Sequence, residues 1–264
     1  MKQKLLDILT AMQRYNSPHM ARDFFGLDET VTYDALVVAP GWKPTRILRD
    51  PSWNITTLSE HSYISGYLTE RNSRKIAWIQ CASGACNLID HLTVCAELSF
   101  RKLIFVGAVG SLSTAIPVGT FCTPSYSVAG VFANAYLCDR LTDYTPFEKV
   151  TPPDEDYINH VIALAAQNGW ELKKASVFCT DSIALEYSRL DEIKSHGTDL
   201  IEMDTRSFYR LAELFEVPAV ALLAVSDNSA TGDPLIGRTE EADRNYQFCK
   251  NIVIPELIFH LACE

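Results

Sequence analysis

Two short acidic segments carry the residue types best suited to chemistry. Ile201-Glu202-Met203-Asp204 sets two carboxylates around one thioether. Carboxylates accept from vicinal hydroxyls, and methionine offers a soft apolar surface for the face of a sugar. Asp227, within Val225-Ser226-Asp227-Asn228, adds an acid that can protonate a leaving group. That set suits cleavage of a glycosidic bond through a cationic sugar. Each acid also has a plain structural reading. Asp227 could cap the element that follows it, and Glu202 and Asp204 could be first-turn charges favoured by a helix dipole. Thr180-Asp181-Ser182 forms a third polar segment just after an apolar run.

These segments need a scaffold, and its pattern is legible. Short β-rich apolar runs at 35–39, 76–80, 103–107, 120–123, 176–179 and 219–225 alternate with stretches of helical period. Several runs are apolar on both faces, as central strands covered by helices on each side would be. Helices are expected over 87–100 with Asn87 as cap, over 154–168, over 205–215, and over 240–262 with a kink or break at Pro255. The alternation implies an α/β fold, a three-layer α/β/α sandwich in one domain around a mixed, mainly parallel sheet. Chemistry in such sheets gathers at the carboxyl ends of strands, where all three polar segments fall. Gly107-Ala-Val-Gly110 follows a strand and marks either a tight turn or close backbone approach to a ligand.

Bulk properties exclude other classes. The 264 residues are 47% apolar and 21% charged, with a net charge of −10. No basic stripe suits nucleic acid; Arg71, Arg74 and Lys75 read as a solvated turn before a strand. No apolar stretch approaches the roughly 20 residues of a membrane span, and residues 1–15 do not read as a signal peptide. The eight cysteines sit mostly in apolar runs. They fit buried thiols in a reducing cytoplasm better than disulfides or a metal site, and Cys179 reads as a core residue.

The motifs also resemble a known family. Leu200-Ile-Glu-Met-Asp-Thr-Arg-Ser-Phe-Tyr209, Val217-Pro-Ala-Val220 and Val225-Ser-Asp-Asn228 are similar to segments of the nucleoside phosphorylases, in particular the bacterial trimer-building purine nucleoside phosphorylases. Ser17-Pro18-His19-Met20 resembles the family's N-terminal Pro-His segment. Val38-Ala-Pro-Gly41 with Arg46 resembles its first phosphate loop, the Gly and Arg standing one residue further apart than usual. Residues 102–110 resemble its central strand, and Glu241-Ala-Asp-Arg244 the start of its C-terminal helix.

The resemblance implies a mechanism. Asp227 would protonate N7 of a purine, with Ser226 beside it and Arg244 orienting its carboxyl. Glu202 and Asp204 would hold the ribose hydroxyls and Met203 would pack on the sugar. Ile183 and Asp181 would stand by the base, and Gly41 and Arg46 would hold phosphate. His19 would reach a neighbouring subunit's sugar site, so a homo-oligomer (a dimer, or a trimer of dimers) is part of the expectation. Inorganic phosphate would be the co-substrate, with no cofactor or metal.

The departures concern phosphate. Phe105 stands where the family has an Arg, Ala108 where it has Ser or Thr, and His61-Ser62 where a second Arg is donated across the interface. Each charge-assisted bond lost removes about 1.5–3 kcal/mol, roughly one to two decades of affinity. Ile183 replaces an aromatic, and Asp204 is one methylene shorter than the usual Glu. Three readings follow: phosphorolysis with a rebuilt phosphate site, hydrolysis, or nucleoside binding without turnover. Hydrolytic relatives place a Glu in the first loop, and Gly41-Trp42-Lys43-Pro44 offers none.

Overall fold

The computed structural model describes residues 2–130 and 132–264, the side chains of Lys2 and Phe132 excepted. In chain order the strands are β1 Thr32–Tyr33, β2 Ala35–Val38, β3 Asn54–Glu60, β4 Ser65–Arg71, β5 Arg74–Gln80 and β6 Ser99–Phe100. They continue as β7 Leu103–Ser111, β8 Phe121–Ala129, β9 Lys173–Cys179, β10 Leu200–Glu202 and β11 Ala219–Asn228. The helices are α1 Lys2–Gln13, α2 Met20–Phe25, α3 Pro44–Ile47, α4 Ala85–Thr93 and α5 Glu155–Gln167. After them come α6 Ile183–Glu186, α7 Leu190–Ser195, α8 Thr205–Phe215, α9 Glu240–Phe248 and α10 Ile254–Cys263.

β1 and β6 pair by themselves, and the main sheet runs β10-β9-β8-β11-β7-β2-β5-β4-β3. Its central strands are apolar on both faces because each face carries a core. Along β11, Ala219, Ala221, Leu223 and Val225 meet the layer of α1, α2, α4 and α8. Val220, Leu222 and Ala224 meet the opposite layer of α5 and α10. The expected mixed sheet with helices on both sides is therefore present.

Its closure was not foreseen. β2, β5, β7 and β11 run one way, whereas β8, β9 and β10 run the other. β10 pairs in parallel with β9 and also antiparallel with the end of β7, Leu200 opposite Ser111 and Ile201 opposite Gly110. Strands β7, β11, β8, β9 and β10 thus close on themselves, while β2, β5, β4 and β3 extend the sheet from the first half of β7.

Other boundaries moved for local reasons. α4 begins at Ala85 behind Gly84, at φ +104°, and not at Asn87, whose amide donates to the Ser83 carbonyl. Gly107 and Gly110 lie inside a continuous β7 and not in a turn. The β3–β4 hairpin was missed because β3 is polar and mostly exposed. Arg71 and Arg74 flank a two-residue turn between β4 and β5 in which Asn72 and Ser73 both have positive φ, the arrangement that matches strand twist. Those arginines are not merely solvated. Arg71 pairs with Glu256 at 2.7 Å, and Arg74 donates to the Cys263 carbonyl. The C-terminal helix is interrupted by a π turn at Cys249–Val253 just before Pro255.

Candidate active site

A cavity of about 270 Å³ opens where the closed half of the sheet meets the loops after β2, β5 and β9. Among its lining residues are four carboxylic acids, Glu186, Glu202, Asp204 and Asp227. Among the described residues, no lysine or arginine lines it.

Asp227 is aimed by a bulge. β11 pairs Val225 with Val109 and then Asp227 with Gly110, so Ser226 is the extra residue, and bulges re-aim side chains in this way. The Ser226 hydroxyl donates to Asp227 Oδ1 at 2.6 Å. Burial holds the Asp227 carboxyl above the usual carboxylate range, while the Ser226 hydrogen bond and the Arg238 charge pull it partly back. An acid so placed keeps a proton closer to neutral pH than a solvated one does.

The cation near Asp227 is Arg238. Among the described residues the expected pairing with Arg244 is not made: Arg244 is exposed and lies 3.9 Å from Glu240, one turn away on α9. Arg238 donates to the carbonyls of Ser226, at 3.1 Å, and Leu235, at 2.7 Å. It also pairs with Asp243 at 3.2 Å and lies over the Tyr246 ring. An arginine six residues earlier wins because it sits in the loop after β11, whereas Arg244 projects from the outer face of α9.

Glu202 is held from within. Oε1 accepts from the Cys179 thiol at 2.9 Å and the Thr205 hydroxyl at 2.8 Å. Oε2 accepts from the Asp204 N–H at 2.7 Å, and the Thr205 N–H reaches both oxygens. Glu202 therefore satisfies the first free amides of α8, the helix-start reading of this residue. Asp204 Oδ1 accepts from the Gly84 N–H at 2.8 Å, and among the described residues no hydrogen bond reaches Oδ2. Burial, and then the Glu202 charge, hold the Asp204 carboxyl well above its ordinary range. The donors converge on Glu202, so the negative charge of the pair resides there. Met203 approaches Gly84, 3.8 Å from where a β-carbon would stand. The buried Cys179 thiol is raised well above its ordinary value by burial and then by Glu202, which suits a donor and not a nucleophile.

The remaining expected residues are divided. Ile183 lines the cavity from α6, and Asp181 lines an adjoining groove instead. His19 is outside the cavity, half exposed, with Nδ1 2.7 Å from Glu29. Gly41 lines the cavity, but its N–H already donates to the Cys81 carbonyl at 2.9 Å. Arg46 is exposed on α3 and is not among the lining residues. Phe105 and Ala108 do line the cavity, and the Phe105 ring packs on Phe208 at 5.4 Å.

Glu186 was not anticipated. It is 8% exposed, one turn beyond Ile183, and burial followed by the Asp227 charge pushes its carboxyl up to about 7. The available signal was spacing: 183 and 186 share a face of a helix that Ser182 caps. Because the folded pKa lies above the ordinary carboxyl value of 4.5, the native state holds this proton longer than the unfolded chain. Its stability contribution is complete below about pH 4.5 and is lost as pH rises through 7. The unfolding midpoint should therefore decline between pH 5 and pH 8, and Glu186→Gln should flatten that decline in thermal melts. An unchanged slope in the variant would show that Glu186 does not carry the effect.

A family profile described as the phosphorylase superfamily matches residues 60–254, most of the chain. The chain belongs to the phosphorylase superfamily. A relative from Bacillus velezensis, described as a DeoD-type purine nucleoside phosphorylase, is 23% identical over 181 residues, 68% of this chain and 75% of the relative. A similarly described protein of Anoxybacillus flavithermus is 31% identical over 133 residues, 50% of this chain and 54% of its own. The purine nucleoside phosphorylase of Toxoplasma gondii, solved in complex with immucillin-H, superposes with a TM-score of 0.71 at 14% identity. That alignment covers 90% of this chain and 94% of the other. At that identity it speaks for the shared fold. Among the described residues, no helix is long and apolar enough to cross a membrane.

Proposed function

We propose that this protein cleaves the N-glycosidic bond of purine nucleosides, with Asp227 as the acid for N7 and water as the acceptor. The lining of the cavity carries this reading: four carboxylic acids and, among the described residues, no cation. A sugar passing through a cationic transition state is stabilised by the Glu202 carboxylate in such a lining, and among the described residues a phosphate dianion meets no cation there. The Gly41 N–H, engaged by Cys81, is not available to an anion. Asp204 Oδ2 takes a ribose hydroxyl, Met203 packs on the sugar face, and Glu202 acts through α8 by holding Asp204 in place. Ser226 and Arg238 orient Asp227. His19, outside its own cavity, suits a group that serves the sugar of a neighbouring subunit in a homo-oligomer.

Phosphorolysis to free base and ribose-1-phosphate is the second reading, and one observation favours it. Arg238, Arg49 and Arg46 all depress the Lys250 ammonium through their charges, after its burial. Lys250 in turn lies over the ring of Trp42 at 4.8 Å, and Trp42 lines the cavity. In that reading Arg46 moves inward, or a partner subunit completes the phosphate cradle.

Chromatography of base released from inosine, adenosine and guanosine, with and without phosphate, separates them. We expect release that changes less than about twofold with phosphate, with ribose as coproduct. Release that rises with phosphate and yields ribose-1-phosphate establishes the second reading. Nucleoside binding with no release from any of the three would mean a binding protein and overturn both.

A further inference from the structure

We propose that the groove beside the cavity is an aryl subsite, which extends substrate range to purine nucleosides bearing a planar substituent on the exocyclic 6-position. The inference rests on the purine-nucleoside reading and deepens it.

The groove, of about 540 Å³, shares Thr180 and Glu186 with the cavity, so the two adjoin at α6. Its wall is a set of rings. Phe147 stacks on His196 at 4.6 Å and 24°, Phe178 lies 5.3 Å from the same imidazole, and Phe147 and Phe178 are 6.2 Å apart. Phe147 keeps 45% of its surface exposed, so the ring set is not sealed from a further group.

The wall is also costly to build. Phe147 has φ +59°, a left-handed backbone that bulky residues rarely adopt. A β-carbon at Gly130 would stand 2.9 Å from Phe147 Cζ, so the ring is seated directly against a bare backbone. The Phe147 N–H and the Tyr144 hydroxyl both donate to the Ala129 carbonyl, which fixes this loop to the end of β8.

Purine chemistry supplies the occupant. N7 and the 6-substituent lie on the same edge of the base. A purine that offers N7 to Asp227 therefore directs its 6-substituent to the same side, where Glu186 interacts with Asp227 and forms the shared wall. An unsubstituted amino or oxo group stops at that wall. A benzyl group on the 6-amino nitrogen is long enough to pass it and stack on Phe147 and His196.

The test compares adenosine with N6-benzyladenosine on the wild-type chain and on Phe147→Ala and His196→Ala, by calorimetric binding and base release. We expect the wild type to bind the benzyl compound at least as tightly as adenosine. Both variants should weaken it about tenfold while changing adenosine less than about twofold. His196 is an exposed helix-terminal residue, so its variant keeps the test valid if Phe147→Ala does not fold. Adenosine binding without benzyl binding overturns the subsite and leaves the nucleoside reading intact. Equal losses for both ligands also overturn it, as does a groove whose variants alter only the oligomeric mass in sedimentation. If neither ligand binds, both proposals fall.

Discussion

Asp227→Asn should lower kcat for nucleoside cleavage by about a thousandfold or more while nucleoside affinity changes less than tenfold. The amide matches the carboxyl in shape and can still accept from Ser226, whose hydroxyl lies 2.6 Å from Oδ1. The amide has no acidic proton to deliver, so the departing base must leave as an anion. Burial already holds Asp227 above the usual carboxylate range, which keeps a proton available for donation closer to neutral pH. The wild-type pH–rate profile should therefore fall on its alkaline side as Asp227 ionises, and the Asn variant should lose that limb. Steady-state base release across pH, with calorimetric binding at one pH, checks both parts. A variant that retains wild-type turnover would remove Asp227 from the mechanism.

The second large effect should come from a methyl group. Gly110 stands directly across from Asp227 in the β7–β11 pairing. A β-carbon there would lie 3.0 Å from Asp227 Oδ2 and 3.0 Å from Ile201 Cγ2. One neighbour is the proposed acid and the other is on β10, the strand that closes the sheet. Both are side-chain atoms held in a buried site, so Gly110→Ala must push the Asp227 carboxyl, the Ile201 side chain, or both, by a few tenths of an ångström. A misplacement near 1 Å in a catalytic group costs about a hundredfold in rate; the few tenths of an ångström needed at 3.0 Å contacts should lower kcat/KM by about tenfold. Overpacking at one buried site should cost about 1–3 kcal/mol, which a thermal melt with retained circular dichroism would register separately. Gly107→Ala is a useful comparison, because its β-carbon would meet the Phe105 ring, at 3.0 Å and 3.3 Å, and Leu223 Cδ2, at 4.0 Å, and not the Asp227 carboxyl. If Gly110→Ala turns over normally, the close approach does not govern the position of Asp227.

The two substitutions probe different layers of information. Asp227 was legible from residue type alone, as a carboxylate at the end of an apolar run. Gly110 was visible only as a glycine in a suspected turn, because its partner is 117 positions away along the chain and the pairing is tertiary.

The sequence by itself determined the α/β class, the doubly apolar central strands, and α8 at its observed limits, residues 205–215. Those follow from local periodicity, which depends on near neighbours. It also marked Glu202, Met203, Asp204, Ser226, Asp227 and Ile183, all of which line one cavity. Only the tertiary structure decided how they meet. β9 and β10 run against β7, so the simple rule of carboxyl ends in a parallel sheet does not gather these residues. The closure of β10 onto Gly110 and Ser111 does. Tertiary structure also settled which cation stands near Asp227, Arg238 and not Arg244, and it revealed Glu186 and the adjoining rings. Charge effects and packing act through space, across loops whose path no local pattern encodes, and that is why these features lay beyond the sequence.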